Sequence, residues 1–290
     1  MSSDQLVQYL FTGLTQGSLY ALIALGFAIT FTVTGIINFA QGEFVMLGGM
    51  ISYLILDNTN IPIGAAFLIS IIAVSLTGVL LERLAIRPAR NAPVVTLIII
   101  TIGASIFIRG MVGEFIGKDP VPIPPFTGNG AFTVLGATVT YQSLWVIGIA
   151  MVSVIGFYLL LSRTMIGKAL RACSINKRAA SLMGINASNM STLSFLISAA
   201  LGSIGGILIA PLAFAQVTIG VSLGLKGFVA AAIGGFTNIP LIVAGALGLG
   251  VVEQLGGATI SAYKDAIALG VLLLVLIIRA RWLQTAAGSE

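Results

Sequence analysis

The chain has 290 residues, 58% of them hydrophobic and 8% charged, with a mean hydropathy of +1.10 and a net charge of +5. An ordinary soluble domain carries roughly 25% charged residues, so a soluble fold has too little polar surface for this chain, which reads as an all-α, polytopic integral membrane protein. The basic residues fall in short clusters that flank apolar spans, which reflects membrane orientation and not a nucleic-acid surface, the single cysteine excludes an internal disulfide, and a sequence without histidine lacks the usual zinc and haem ligand sets.

The first span is expected at Leu6–Thr32, inside the uncharged stretch Gln5–Gly42, because a charge at the bilayer centre costs about 2.5–3.5 kcal/mol on insertion scales. Met1–Gln5 has no basic residue and no cleavage site follows a short apolar core, so the segment does not read as a signal peptide. Next comes a polar interruption, Ile37-Asn38-Phe39-Ala40-Gln41-Gly42-Glu43, among Gly35, Gly42, Gly48 and Gly49. Two readings stand side by side. As a helix break at membrane depth it needs protein or a water-filled cavity around it, and its free N–H and C=O groups then face a polar solute. As a short cytoplasmic turn it needs only Asn38 as a cap and Glu43 as a favourable charge in the next helix's first turn. Glu43 itself reads first as that helix-start charge and second as a proton-coupling carboxylate.

Further spans follow at Phe44–Leu56, Ile61–Leu81, Pro93–Met111, Tyr141–Leu161, Met190–Ala213, Gly227–Phe236, Leu241–Leu255 and Ala262–Ile278. Three are shorter than the roughly 20 residues a crossing needs, so eight or nine transmembrane helices are expected, some short or discontinuous. Basic clusters at Arg83, Arg87 and Arg90, at Arg163 to Arg178, and at Arg279 and Arg281 mark the cytoplasmic side, including the C-terminus. The segment 113–140 is then an external loop. Its Pro120, Pro122, Pro124 and Pro125 impose an extended path, and Phe132 to Thr140 alternates around Gly136 as a small hairpin. It is either a connector or a docking surface. Cys173 lies among the basic residues and reads as a small buried packing residue.

A faint internal repeat links Gly17-Ser18 to Gly202-Ser203 and Gly48-Gly49 to Gly234-Gly235. Transporters are often built from inverted repeats whose broken helices meet at the substrate path, although glycine pairs also recur by chance in a chain with 35 glycines. Within segment 162–188, Asn176 caps a short helix, Gly184 ends it, and Ala179, Leu182 and Met183 share one face. So short a helix is marginal alone. It needs a partner surface, either the membrane bundle or a separate cytoplasmic protein.

The run Ile36 to Gly49, the segment Glu82-Arg83-Leu84-Ala85-Ile86-Arg87-Pro88, and Gly167-Lys168-Ala169-Leu170-Arg171-Ala172 leading to Ala180-Ser181-Leu182-Met183-Gly184-Ile185 resemble the branched-chain amino-acid ABC permease family. The resemblance runs through essentially the whole chain, and it implies a single transmembrane permease domain over 1–290. It implies two ABC ATPase subunits that bind ATP, a second homologous permease, and an external (periplasmic) substrate-binding protein around a lipid-embedded chain of the bacterial inner membrane. The resemblance also implies a substrate pathway through Asn38, Gln41, Gly42, Gly48 and Gly49, which the repeat extends to Gly234 and Gly235. It further implies an ATPase-coupling loop made of Asn176, Lys177, Arg178, Ala179, Ala180, Ser181, Leu182, Met183 and Gly184. The implied cargo is a branched-chain or other neutral amino acid, with amides and urea carried by related permeases.

The chain is expected to hold no cofactor or metal and to be no enzyme. A phosphate-binding loop needs Gly-x4-Gly-Lys followed by Ser or Thr. Lys118, Lys168, Lys177, Lys226 and Lys264 are followed by Asp, Ala, Arg, Gly and Asp, so ATP hydrolysis falls to partner chains. The alternative is an ion-coupled secondary transporter or channel, for which Glu43, Arg109 and Glu253 are the nearest charged candidates.

Overall fold

A computed structural model describes residues 3–134, 136–259, 267–271, 273–275 and 277. Much of the expected span Ala262–Ile278, and all of Arg279 and Arg281, lie outside the described residues. Ten α-helices are described: α1 (Ser3–Thr34), α2 (Gln41–Asn58), α3 (Ile63–Leu81), α4 (Val94–Phe115), α5 (Tyr141–Arg163), α6 (Met165–Ile175), α7 (Lys177–Leu182), α8 (Ala187–Ala213), α9 (Ile219–Ile233) and α10 (Ile239–Thr259). A π-helical turn, Glu82–Ile86, extends α3, and two strands, β1 (Ala131–Val134) and β2 (Ala137–Thr140), make an antiparallel hairpin. Among the described residues, α1, α3, α4, α5, α8 and α10 are the six helices long and apolar enough to cross a membrane. With 18 and 15 residues, α2 and α9 fall short of the roughly 20 that a crossing needs.

Local chemistry sets the boundaries. Pro62 and Pro93 precede α3 and α4, where a missing N–H costs nothing. Thr140, Thr164, Asn176 and Asn186 cap α5, α6, α7 and α8 by accepting hydrogen bonds from N–H groups of the first turn.

The two ends of the bundle differ. At one, Gln8 pairs with the backbone of Thr138, Val121 and Ala215 exchange 2.9 Å backbone bonds, and Gln142 donates to Leu208 O, holding the expected hairpin and proline-rich loop onto the helix ends. At the other, the basic end, Arg87 Nη2 donates to Glu82 at 3.2 Å and to Thr192 at 2.6 Å, and Lys177 Nζ donates to Thr34 O at 3.0 Å.

The helix neighbours reveal an inverted duplication. Ile23 packs on Gly205 and Gly26 on Ser198, so α1 and α8 are antiparallel. Each is followed by a break and a half-helix running back: α2 climbs beside α8 with Gln41 against Ser198 and Gly48 against Ser203, while α9 descends beside α1 through Ile23–Gly227 and Phe27–Phe228. The third member of each unit is antiparallel to the first helix of the other. Thus α3 meets α8 at Gly78 and Phe195, and α10 meets α1 at Val251 with Gly13 and Leu247 with Gly17. Lipid gives helices no hydrophobic reason to associate, so close approach at small residues holds such contacts.

Gly17-Ser18 and Gly202-Ser203 lie on the corresponding helices α1 and α8, but the second glycine match differs from expectation. Gly48-Gly49 is inside α2, whereas Gly234-Gly235 forms the turn that ends α9. The glycines at matching places are Gly42 with Gly220, each against the other's carbonyl, and Gly49 with Gly227, which lie equally far along their half-helices and face α8 and α1 respectively.

Candidate functional site

At the basic end α1 stops at Gly35, whose φ of +76° suits glycine, and the chain turns back into the bundle. Asn38 Oδ1 accepts from Ala40 N at 3.1 Å, and Phe39 N donates to Thr101 Oγ1 at 3.1 Å. Thr101 and Ser105 occupy the middle of α4, so α2 begins about half-way through the bundle's thickness. On the opposite side α8 ends at Phe214, with φ of +57°, and residues 214–218 lead to α9. The two half-helices cross where Gly42 meets the carbonyl of Gly220 and the Cα of Gly224, and no side chain fits at Gly42 or Gly220. Two helix N-termini, each the positive end of its dipole, thus converge at mid-depth.

The side chains of this break are buried and mostly locked. Gln41 is 0% exposed, donates to Ser198 O at 3.1 Å and touches the Ser198 hydroxyl, which donates to Gly26 O at 2.9 Å. Asn38 is equally buried, and its Nδ2 has no hydrogen-bond partner among the described residues. Glu43 accepts from Ser105 Oγ at 2.7 Å and faces Arg109 Nε at 3.9 Å. Beside them, between α1, α2, α4 and α9, lies a cavity of ≈ 280 Å³ bordered by Glu43, Arg109, Phe27, Phe39 and Phe228.

Of the expected pathway residues, the structure therefore gathers Asn38, Gln41 and Gly42 at the break. Gly48 and Gly49 lie further along α2 against Ser203 and Gly206 of α8, and Gly234, against Ile242, and the positive-φ Gly235 stand at the opposite end of α9. Sequence reasoning missed Ser105 as a partner of Glu43. It also took Lys226 as the edge of a span beginning at Gly227, whereas α9 carries Lys226 in its interior. The reason is pairing: Lys226 Nζ meets Glu253 Oε1 at 2.6 Å, and Tyr20 OH donates to Glu253 Oε2 at 2.7 Å.

At the basic end, Asn176 Oδ1 accepts from Arg178 N and Ala179 N at 3.0 Å, and Gly184, with φ of +81°, follows α7. Ala180 is buried, while Leu182 is 89% and Met183 83% exposed. Ala179 shares that exposed side, Ser181 donates to Lys177 O, and Lys177 anchors the helix to the end of α1. A groove of ≈ 730 Å³ beside α7 is bordered by Arg87, Arg90, Lys177 and Arg178. Cys173 is buried in α6, and burial pushes its thiol up, away from the reactive thiolate.

The family described as the branched-chain amino acid transport system / permease component matches residues 9–276. High-affinity branched-chain amino acid transport system permease proteins are similar throughout: that of Pseudomonas aeruginosa is 35% identical over 94% of each chain, and that of Salmonella typhimurium 35% identical over 94% of this chain and 93% of its own. The Escherichia coli K12 protein of that name is 34% identical over the same shares. With six membrane-length helices, a break at mid-depth and this likeness along nearly its whole length, the chain belongs to the permease-component family of branched-chain amino acid transport systems.

Proposed function

We propose that this chain is one permease subunit of an ATP-driven importer for branched-chain or other neutral amino acids, a single transmembrane domain of the inner membrane. It pairs with a second homologous permease, and the substrate passes beside the crossing of α2 and α9. The basic end is cytoplasmic by the positive-inside rule, and the loop 113–140 on the opposite side receives an external binding protein. Segment 162–188 seats on one of two ATPase subunits, which bind and hydrolyse ATP. The names of the similar proteins support the substrate class.

One observation carries the coupling role. A six-residue helix, capped at Asn176 and tied to α1 through Lys177, holds Leu182 and Met183 almost fully in the open. Large apolar side chains grouped on a surface mark a docking site, and the flanking basic groove suits an acidic partner rim.

Uptake of leucine into vesicles carrying the full complex tests the assignment. Leu182→Glu with Met183→Glu, both outside the packed core, is expected to abolish ATP-dependent uptake and ATPase co-purification while leaving the permease folded. Undiminished uptake in that variant, or concentrative uptake driven by a proton or sodium gradient without ATPases, would contradict it.

A further inference from the structure

We infer that the cavity at the head of α2 is a subsite for the zwitterionic head of a free α-amino acid, with Glu43 reading the ammonium and Arg109 the carboxylate. The inference rests on the importer reading above and names the chemistry by which the permease itself holds its cargo.

The argument starts from unsatisfied charge. Glu43 is 1% exposed, one of its oxygens accepts from Ser105, and the other, Oε2, has no hydrogen-bond partner among the described residues. The opposite charge is near but does not meet it: Arg109 Nε comes only within 3.9 Å, beyond hydrogen-bond length. A buried carboxylate with half its acceptors empty is costly unless something completes it. In the same cavity stands a guanidinium whose planar fork matches a carboxylate. An ammonium on Glu43 Oε2 and a carboxylate on Arg109 would satisfy both residues with one small molecule.

The remaining wall fits the rest of such a molecule. Phe27, Phe39, Ile106 and Phe228 border the cavity, offering an aliphatic side chain apolar contact without reading its branching. Glu43 Oε2 is occluded, so a ligand reaches it by displacing a neighbour. Arg109, with 32% of its side chain exposed, is the neighbour with space to swing into.

The test uses the complete permease–ATPase complex in nanodiscs without binding protein, with radiolabelled leucine as probe and leucinamide or N-acetyl-leucine as competitors. The wild type is expected to prefer leucine over each blocked analogue by ten-fold or more. Glu43→Gln should erase the preference over N-acetyl-leucine and leave that over leucinamide, Arg109→Gln should do the reverse, and Glu43→Asp should retain both. Val221→Trp, at a half-exposed position on the cavity's edge, should reduce leucine binding at least ten-fold in a complex that assembles normally, so the proposal stays testable should the charge variants not assemble. A wild type that binds no leucine yet imports it with ATP, or variants that discriminate as the wild type does, would overturn the subsite alone. Absence of ATP-driven leucine uptake by the wild type would instead overturn the importer reading.

Discussion

The two inverted units α1–α2–α3 and α8–α9–α10 share a backbone plan but not a polar chemistry. In the second, Lys226, Glu253 and Tyr20 lock half-helix to long helix through a buried ion pair and a phenol hydrogen bond. In the first, the polar contact between α2 and α3 is a neutral one: Ser70 of α3 donates to Gly48 O of α2 at 3.0 Å, an oxygen that also accepts from Ser52 within α2 at 2.7 Å. The first unit keeps its charge at the head of the half-helix, on Glu43, incompletely paired beside a cavity. Duplication supplies two breaks at mid-depth, and the units differ in where their charge sits: along the half-helix in the second, at its head in the first.

That contrast can be broken from the ionic side first. Removing one partner of a buried pair strands the other, which costs about 3–5 kcal/mol, so Glu253→Gln should lower the unfolding midpoint of the detergent-purified protein strongly. Lys226→Met with Glu253→Leu should recover most of the loss. The shared crossing comes next: a side chain at Gly42 or Gly220 meets backbone from the other half-helix, and overpacking of this kind costs about 1–3 kcal/mol. Gly42→Val should therefore reduce both stability and uptake. Gly103→Ala, which faces open space on α4, should change stability by no more than about 0.5 kcal/mol. Between these lies the hydroxyl contact, where Ser70→Ala should cost about 0.6 kcal/mol, the average for a polar contact between membrane helices. A loss at Ser70 as large as that at Glu253 would erase the distinction between the halves.

Much of this architecture was legible because the bilayer imposes long uncharged runs: α1, α3, α4, α5 and α8 fall where those runs lie. Gly136 between alternating residues marked the hairpin, and Asn176 with Gly184 marked α7, because caps and positive-φ turns depend on local sequence. What depends on distant partners was not legible. Lys226 looks like a boundary until Glu253 is seen opposite, Glu43 is the helix-start charge expected but its partners Ser105 and Arg109 arrive from α4, and the face of α7 does not show that Ala180 turns inward while Ala179, Leu182 and Met183 turn out. The glycine match at Gly234-Gly235 drifted from the true correspondence because α8 ends at Ala213, sooner after Gly202 than α1 ends after Gly17, and the break that follows is slightly shorter, which together shift the register of the second half-helix.

The central claim, that the polar path runs along the crossing of α2 and α9 and not elsewhere on the apolar surface, is tested by aqueous thiol labelling. In a Cys173→Ser background, Val221→Cys on the cavity's edge and Leu76→Cys on the outer face of α3 present positions that are 47% and 55% exposed in the chain. A charged, membrane-impermeant thiosulfonate applied to the assembled complex should modify Cys at 221, more slowly under saturating leucine-loaded binding protein, and should leave Cys at 76 untouched in lipid. Equal modification of both sites, or modification at 76 alone, would contradict the account.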